Sequence, residues 1–212
     1  MFVLRFDLRI PPFVESLTHG DQYREFLKMV EWADDKGFAA VVLSEHHGTE
    51  DGYMNSPLLI AGSVLGATNN LFCSVSALLL PLHDQLRIAE EIATIDLIAP
   101  GRFNVVMGIG YRESEFEMFD KNRKTRGKDT EEAIRTILTA LRGEPFEYKG
   151  REVLISPKPV SAPSSLISVG GSVEISATRA ARLGLPFVPA VRDESLETAY
   201  YAEAKEVGYE TP

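Results

Sequence analysis

Half of the four histidines in this chain fall within one tetrapeptide, Ser44-Glu45-His46-His47, beside a carboxylate. Three chemistries compete for such a cluster: a metal site, a general acid/base pair, or solvated loop imidazoles. An ordinary imidazole titrates at about pH 6.5, which suits proton transfer at neutral pH, and Glu45 is placed to tune or orient it. A zinc site needs a third ligand, and the remaining histidines, His19 and His83, stand alone on separate loops. No metal is therefore expected. A second candidate is Val169-Gly170-Gly171-Ser172, where two glycines and a hydroxyl precede a helical pattern. Backbone N–H groups at a helix start, unhindered by side chains, make an anion site. Capping by Ser172 is the plainer role and is compatible with it. Two weaker signals complete the set. Gly108 and Gly110 form a GxG pair before Tyr111-Arg112, shorter than the dinucleotide fingerprint. Ser76 and Ala77 are small residues in a bulky run, which suits close approach of a flat ligand or simply tight packing.

All four segments follow short apolar runs, and those runs alternate with amphipathic stretches. Apolar runs cover residues 3–10, 38–43, 72–80, 103–109, 166–169 and 187–191. Helical patterns cover 22–36, 57–67, 85–98, 129–141, 173–183 and 194–207. In the first of these, Phe26, Met29, Val30 and Ala33 fall at the i, i+3, i+4, i+7 spacing of one helix face, and Gly37 closes it. Runs such as FAAVVL are apolar throughout, as strands covered on both faces must be. Strict strand–helix alternation predicts an α/β fold with a parallel sheet, and two architectures meet it. An open dinucleotide-binding sheet wants glycines after the first strand, where this chain has Arg9-Ile10-Pro11-Pro12. A (β/α)8 barrel is therefore expected, in which functional groups gather at the carboxyl ends of the strands. Residues 144–165, with four prolines, read as an excursion between units four and five, carrying a hairpin near Lys149-Gly150. Residues 1–212 are otherwise one domain.

The composition narrows the partners. With 22 Lys+Arg against 31 Asp+Glu the formal charge is −9, and basic blocks are absent, so nucleic acid and anionic membranes are poor partners. No run of about 18 apolar residues suggests a membrane span, and the start lacks an uninterrupted signal core. A cytoplasmic protein acting on small molecules is expected. The single cysteine, Cys73, sits in LFCSVSALLL, the setting of a buried thiol. Phe13, Tyr53 and Met54 are candidate pocket walls.

Taken together, WADDKGFAAVVLSEHH (32–47), Ser56-Pro57, ALLLPLHDQLRIAEEIATIDLIAPGRF (77–103), GIGYRESEFEMF (108–119) and the PKPV, ISVGGS and AARLGLPF stretches between 157 and 187 resemble the bacterial luciferase-like monooxygenases. These are FMN- or F420-dependent oxidoreductases on a (β/α)8 barrel, and the likeness covers nearly the whole chain in order.

The resemblance implies roles residue by residue. The first histidine of the EHH motif, His46, lies beside the flavin as catalytic base, with Glu45 next to it. Ser76-Ala77 matches a cis peptide packed on the isoalloxazine. Gly108, Gly110 and Arg112 fall in the cofactor-contacting segment, and Gly170, Gly171 and Ser172 match the part that holds the cofactor phosphate. Luciferase proper carries a reactive cysteine and an arginine where Gly108 and Ile109 stand, so this form is more similar to the non-luminous oxidoreductases. The implied reaction uses reduced FMN and O2 to oxygenate a small organic substrate through a C4a-hydroperoxyflavin, with a flavin reductase as supplier and a homodimer as the working form. F420-dependent hydride transfer is the alternative, and a non-catalytic, shortened flavin-binding relative is a further one. A metal-dependent hydrolase of the same barrel class would want an HxH pair that the chain lacks after its first strand. Six units also leave the chain about two units short of a typical barrel of roughly 250 residues, which points to a shortened or incomplete barrel.

Overall fold

The computed structural model describes residues 1–211. In chain order the elements are β1 (Val3–Phe6), α1 (His19–Asp35), β2 (Ala40–Leu43), α2 (Pro57–Ala67), β3 (Phe72–Leu79), α3 (Gln85–Ile98), β4 (Phe103–Gly108), α4 (Glu113–Met118), α5 (Arg126–Ala140), β5 (Phe146–Tyr148), β6 (Arg151–Val153), α6 (Pro163–Leu166), β7 (Ile167–Gly171), α7 (Glu174–Arg182), β8 (Phe187–Pro189) and α8 (Glu194–Val207). Among the described residues the main sheet has six strands in the order β1-β2-β3-β4-β7-β8, every neighbouring pair parallel. This is the expected α/β barrel topology. It is an open arc: β1 and β8 each pair on one side only, so the barrel does not close.

The strands hold the centre through one apolar face, while the alternate positions Arg5, Ser74, Ser76, Asn104 and Ser168 make the other face polar, unlike the all-apolar strands the sequence pattern predicts. Val41, Leu43, Cys73, Val75, Val105, Met107, Ile167 and Val169 are fully buried and meet the inner faces of the helices in one continuous core. The expected buried thiol is there, and burial pushes Cys73 up to about 12. Helix α1 starts at the Thr18 cap, whose hydroxyl accepts from the Asp21 N–H, and buries Phe26, Val30 and Ala33. Gly37, at φ +75°, stops it as the spacing predicts.

Buried carboxylates fasten the loops on the far side of the sheet. Asp34, at the end of α1, accepts from the N–H groups of Asn69, Asn70 and Leu71. Asp96, fully buried on α3, accepts from the N–H groups of Gly101, Val160 and Ser161 and from the Ser161 hydroxyl. That contact clamps the proline-rich segment onto α3. Within the segment, β5 and β6 form an antiparallel hairpin turned by Lys149 and Gly150, both at positive φ.

Two elements differ from the sequence pattern. The first strand stops at Phe6 rather than running to residue 10, because Leu8 takes a left-handed conformation (φ +54°) and the Asp7 carbonyl turns to accept from the Met54 N–H. The stretch after β4 contains a short extra helix, α4, before α5.

Candidate active site

The carboxyl end of β2 delivers Ser44 through His47 to the mouth of the arc, held by the His46 N–H donating to the Met54 carbonyl. Glu45 is 2% exposed. Its Oε1 lies 2.7 Å from the Nε2 atoms of both His47 and His83, and its Oε2 accepts from the Leu79 N–H. Burial alone would raise its pKa, but these donors outweigh that and hold the carboxylate ionised down to about 2. The expectation that His83 stands apart is thus corrected: the Leu80–Leu82 turn after β3 swings it onto Glu45. His19 does remain apart, packed against Gly52.

Glu45, His47 and His83 have metal-ligand chemistry, with ligand atoms within 4.8 Å of one another. Both imidazole nitrogens sit at hydrogen-bond distance from the same carboxylate oxygen. We read the trio as a hydrogen-bonded frame for the loop.

His46 points the other way. Its Nδ1 lies 2.8 Å from Glu115 Oε1 of α4, and the same oxygen accepts from the His47 N–H at 3.1 Å. The ring stands edge-on to Tyr53 and Tyr111. Tyr53 is in turn 2.7 Å from the Ser44 hydroxyl. Glu115 reaches His46 because Gly110, at φ +68°, turns the chain where a Cβ would meet the Phe116 ring at 3.0 Å.

A cavity of about 670 Å³ opens at these strand ends. Its lining includes His46, Ser76, Ala77, Gly108, Gly171 and Ser176. The Ser76-Ala77 peptide is cis, and β3 slips register against β4 there. Gly108 is required opposite it, since a Cβ would come within 2.9 Å of the Ala77 methyl. Any side chain at this position would have to displace that methyl.

Part of the lining is a start of helix with open donors. Helix α7 begins at Glu174, preceded by Val173, and lacks a side-chain cap, so Ser172 does not cap it and remains exposed. Ser176 Oγ and Arg126 Nε are buried, line the cavity or its edge, and have no hydrogen-bond partner among the described residues. Two unsatisfied donors beside an uncapped helix start describe an anion site.

Most of the sequence-derived residues converge here. Glu45, His46, Ser76, Ala77, Gly108, Gly110, Gly170, Gly171 and Ser172 all border the cavity, as does Tyr53. Arg112 lies off the wall, with its Nη1 4.0 Å from Glu115 Oε1. Met54 is fully buried in the core and Phe13 is 84% exposed, so neither is a pocket wall. Sequence reasoning missed Glu115, Arg126 and Ser176. Ser176 had a signal, a hydroxyl in the first turn after Gly-Gly, whereas Glu115 is one of three glutamates in ESEFEM and only packing distinguishes it. A second depression of about 710 Å³ lies outside, between α2 and α3, where Arg87 pairs with Glu90 and Glu91; it has no comparable set of unsatisfied groups.

Fold and site together define a parallel α/β protein of open-barrel topology with a cavity at the strand carboxyl ends. The chain belongs to the luciferase-like monooxygenase family, whose model matches residues 4–210. It is 26% identical over 179 residues to the alkanal monooxygenase alpha chain of the Kryptophanaron alfredi symbiont, covering 82% of this chain and 50% of that one. In structure it is similar to the oxygenating constituent of 3,6-diketocamphane monooxygenase from Pseudomonas putida, solved with FMN (TM-score 0.78, 20% identity, 100% of this chain and 63% of that one). It is similar also to the coenzyme F420 dependent tetrahydromethanopterin reductase of Methanopyrus kandleri (TM-score 0.69, 16% identity, 98% and 61%). The chain spans about half the length of the curated relatives it matches.

Proposed function

We propose that this chain binds FMN in the mouth cavity and serves as the flavin-binding part of a monooxygenase acting on a small organic substrate. The observation that carries this reading is that one cavity is lined both by small residues and by unsatisfied donors at an uncapped helix start. Ala77 and Gly108 leave a surface without protruding side chains, suited to a planar ring system. In the same cavity the start of α7, Ser172, Ser176 and Arg126 supply donors for a terminal phosphate. FMN has both features.

When bound, the reduced flavin supplies the activation of O2. The chain's residues do the rest. His46 holds or moves a proton at the ring nitrogen that does not face Glu115. The buried strand ends beneath the cavity exclude water from its floor. Glu45, His47 and His83 keep the β2 loop in place from behind. A flavin reductase supplying reduced cofactor, a homodimeric working form and a cytoplasmic setting complete the proposal; no helix among the described residues is long and apolar enough to cross a membrane.

The test is a separate fluorescence titration with FMN and with F420, followed by His46→Ala. FMN is expected to bind with a micromolar dissociation constant, roughly −8 kcal/mol. In His46→Ala, FMN affinity is expected to persist while turnover falls about 10²–10⁴-fold, the usual worth of a general base. Preference for F420 would transfer the pocket to hydride chemistry, and binding of neither would overturn the reading.

A further inference from the structure

Glu115 is a carboxylate with its side chain entirely buried, on a helix of six residues whose neighbouring glutamates, Glu113 and Glu117, are exposed. Burying an anion is costly unless it is hydrogen-bonded, and here its donors come from one place. Its Oε1 accepts the His47 main-chain N–H at 3.1 Å and stands 2.8 Å from His46 Nδ1. An ionised carboxylate only accepts, so with Oε1 also taking the His47 N–H the hydrogen between it and His46 belongs on Nδ1. A proton on Oε2 would be a buried donor with no acceptor, because that oxygen has no partner among the described residues.

We infer that Glu115 is the positioning residue for His46: it fixes the imidazole as the Nδ1–H tautomer and so leaves the Nε2 lone pair free at the cavity. His46 makes no other side-chain hydrogen bond among the described residues and lines the cavity wall. The other nitrogen of a ring held in this way is the one available as base. The device joins two elements, since the end of β2 carries the imidazole and α4 carries the carboxylate. Phe116, next to Glu115, anchors α4 by packing on Leu79 and Leu82. Glu115 thus acts through His46 and is not itself a wall of the cavity. The inference rests on the proposed role of His46 as base, but its direct test does not require flavin.

The experiment is nitrogen-15 NMR of the chain labelled at histidine, with the His46 signals assigned by comparison with His46→Gln. In the wild type the neutral His46 ring is expected to be Nδ1–H over Nε2–H by at least about 10:1, the ratio worth roughly 1.4 kcal/mol for a hydrogen bond to a charged group. Glu115→Ala should bring that ratio below 1:1. Glu115→Gln should restore it, since the His47 N–H holds an amide oxygen in the same place. Should the alanine variant fail to fold, Glu115→Asp, whose shorter side chain withdraws the acceptor, is expected to show the same loss. A wild-type ring in the Nε2–H form, or a tautomer unchanged in both Glu115→Ala and Glu115→Asp, would overturn the inference. FMN titrations on the same samples separate the two proposals: loss of all cofactor binding with the tautomer intact overturns the flavin reading alone.

Discussion

At the scale of single residues, the site is built from two buried carboxylates placed on either side of one histidine pair. Glu45 takes the His47 ring and the His83 ring; Glu115 takes the His46 ring and the His47 main chain. Consecutive side chains leaving a strand end diverge, so each imidazole meets a different carboxylate. Glu45 gives this arrangement a pH signature. Its carboxyl is held at about 2 against an ordinary 4.5, so its contribution to stability is fully present above about pH 4.5 and is lost as the pH falls through about 2. The size is about 3 kcal/mol. Urea unfolding of the wild type and Glu45→Gln should therefore differ by about that amount at pH 7, with the gap narrowing steadily below pH 4.5. A gap that stays constant to pH 2.5 would show that Glu45 is not held ionised by its imidazole donors.

At the scale of elements, glycines decide how close the strand ends approach neighbouring segments. Gly110 admits α4, Gly108 admits the Ser76-Ala77 turn of β3, and Gly171 admits the first turn of α7. The last is the tightest. A Cβ on Gly171 would stand 2.3 Å from the Ser176 Cβ, which belongs to the helix and cannot swing away as the tip of a long side chain would. Gly171→Ala is expected to push the start of α7 outward, costing about 1–3 kcal/mol of stability. It should also weaken FMN binding at least tenfold while affecting riboflavin, which lacks the phosphate, far less. Equal losses for the two ligands would place the phosphate elsewhere. The strand–helix alternation and the hairpin at Lys149-Gly150 were legible in the sequence, because periodicity and turn chemistry are local. The early end of β1 was not: the chain from Asp7 to Ile10 bonds to Asp51 and Met54, some 40 residues away, and that pairing overrides the apolar pattern.

At the scale of the molecule, the six strands of the main sheet form an arc with two free edges, and the cavity lies along its carboxyl rim. Exposed Phe2 and Val3 lie on the β1 side of the opening, and an unpaired strand edge is a template for association. The question for function is whether this arc holds a flavin firmly. Both halves of the proposed FMN site, the Ala77–Gly108 wall and the α7 start, come from the central and late strands of the arc itself. FMN at 100 times its dissociation constant is then expected to add about 2.7 kcal/mol, raising Tm by roughly 5–10 °C for a chain of this size. Differential scanning fluorimetry on the chain with and without saturating FMN reads this directly. No rise would mean that the arc leaves the cofactor site incomplete.

The sequence by itself determined the repeating strand–helix unit, the parallel sheet and the motif residues that border the cavity, because buried-strand composition, helix periodicity and helix-start glycines are written in neighbouring residues. It also determined the family, through motifs spread in order along the chain. Tertiary structure alone decided which partner each motif residue has. His83 lies 38 residues from Glu45 and Glu115 lies 69 residues from His46, and nothing local marks either as a partner. A buried carboxylate is stable only where distant donors converge on it, and that convergence exists only once the strands have been laid side by side.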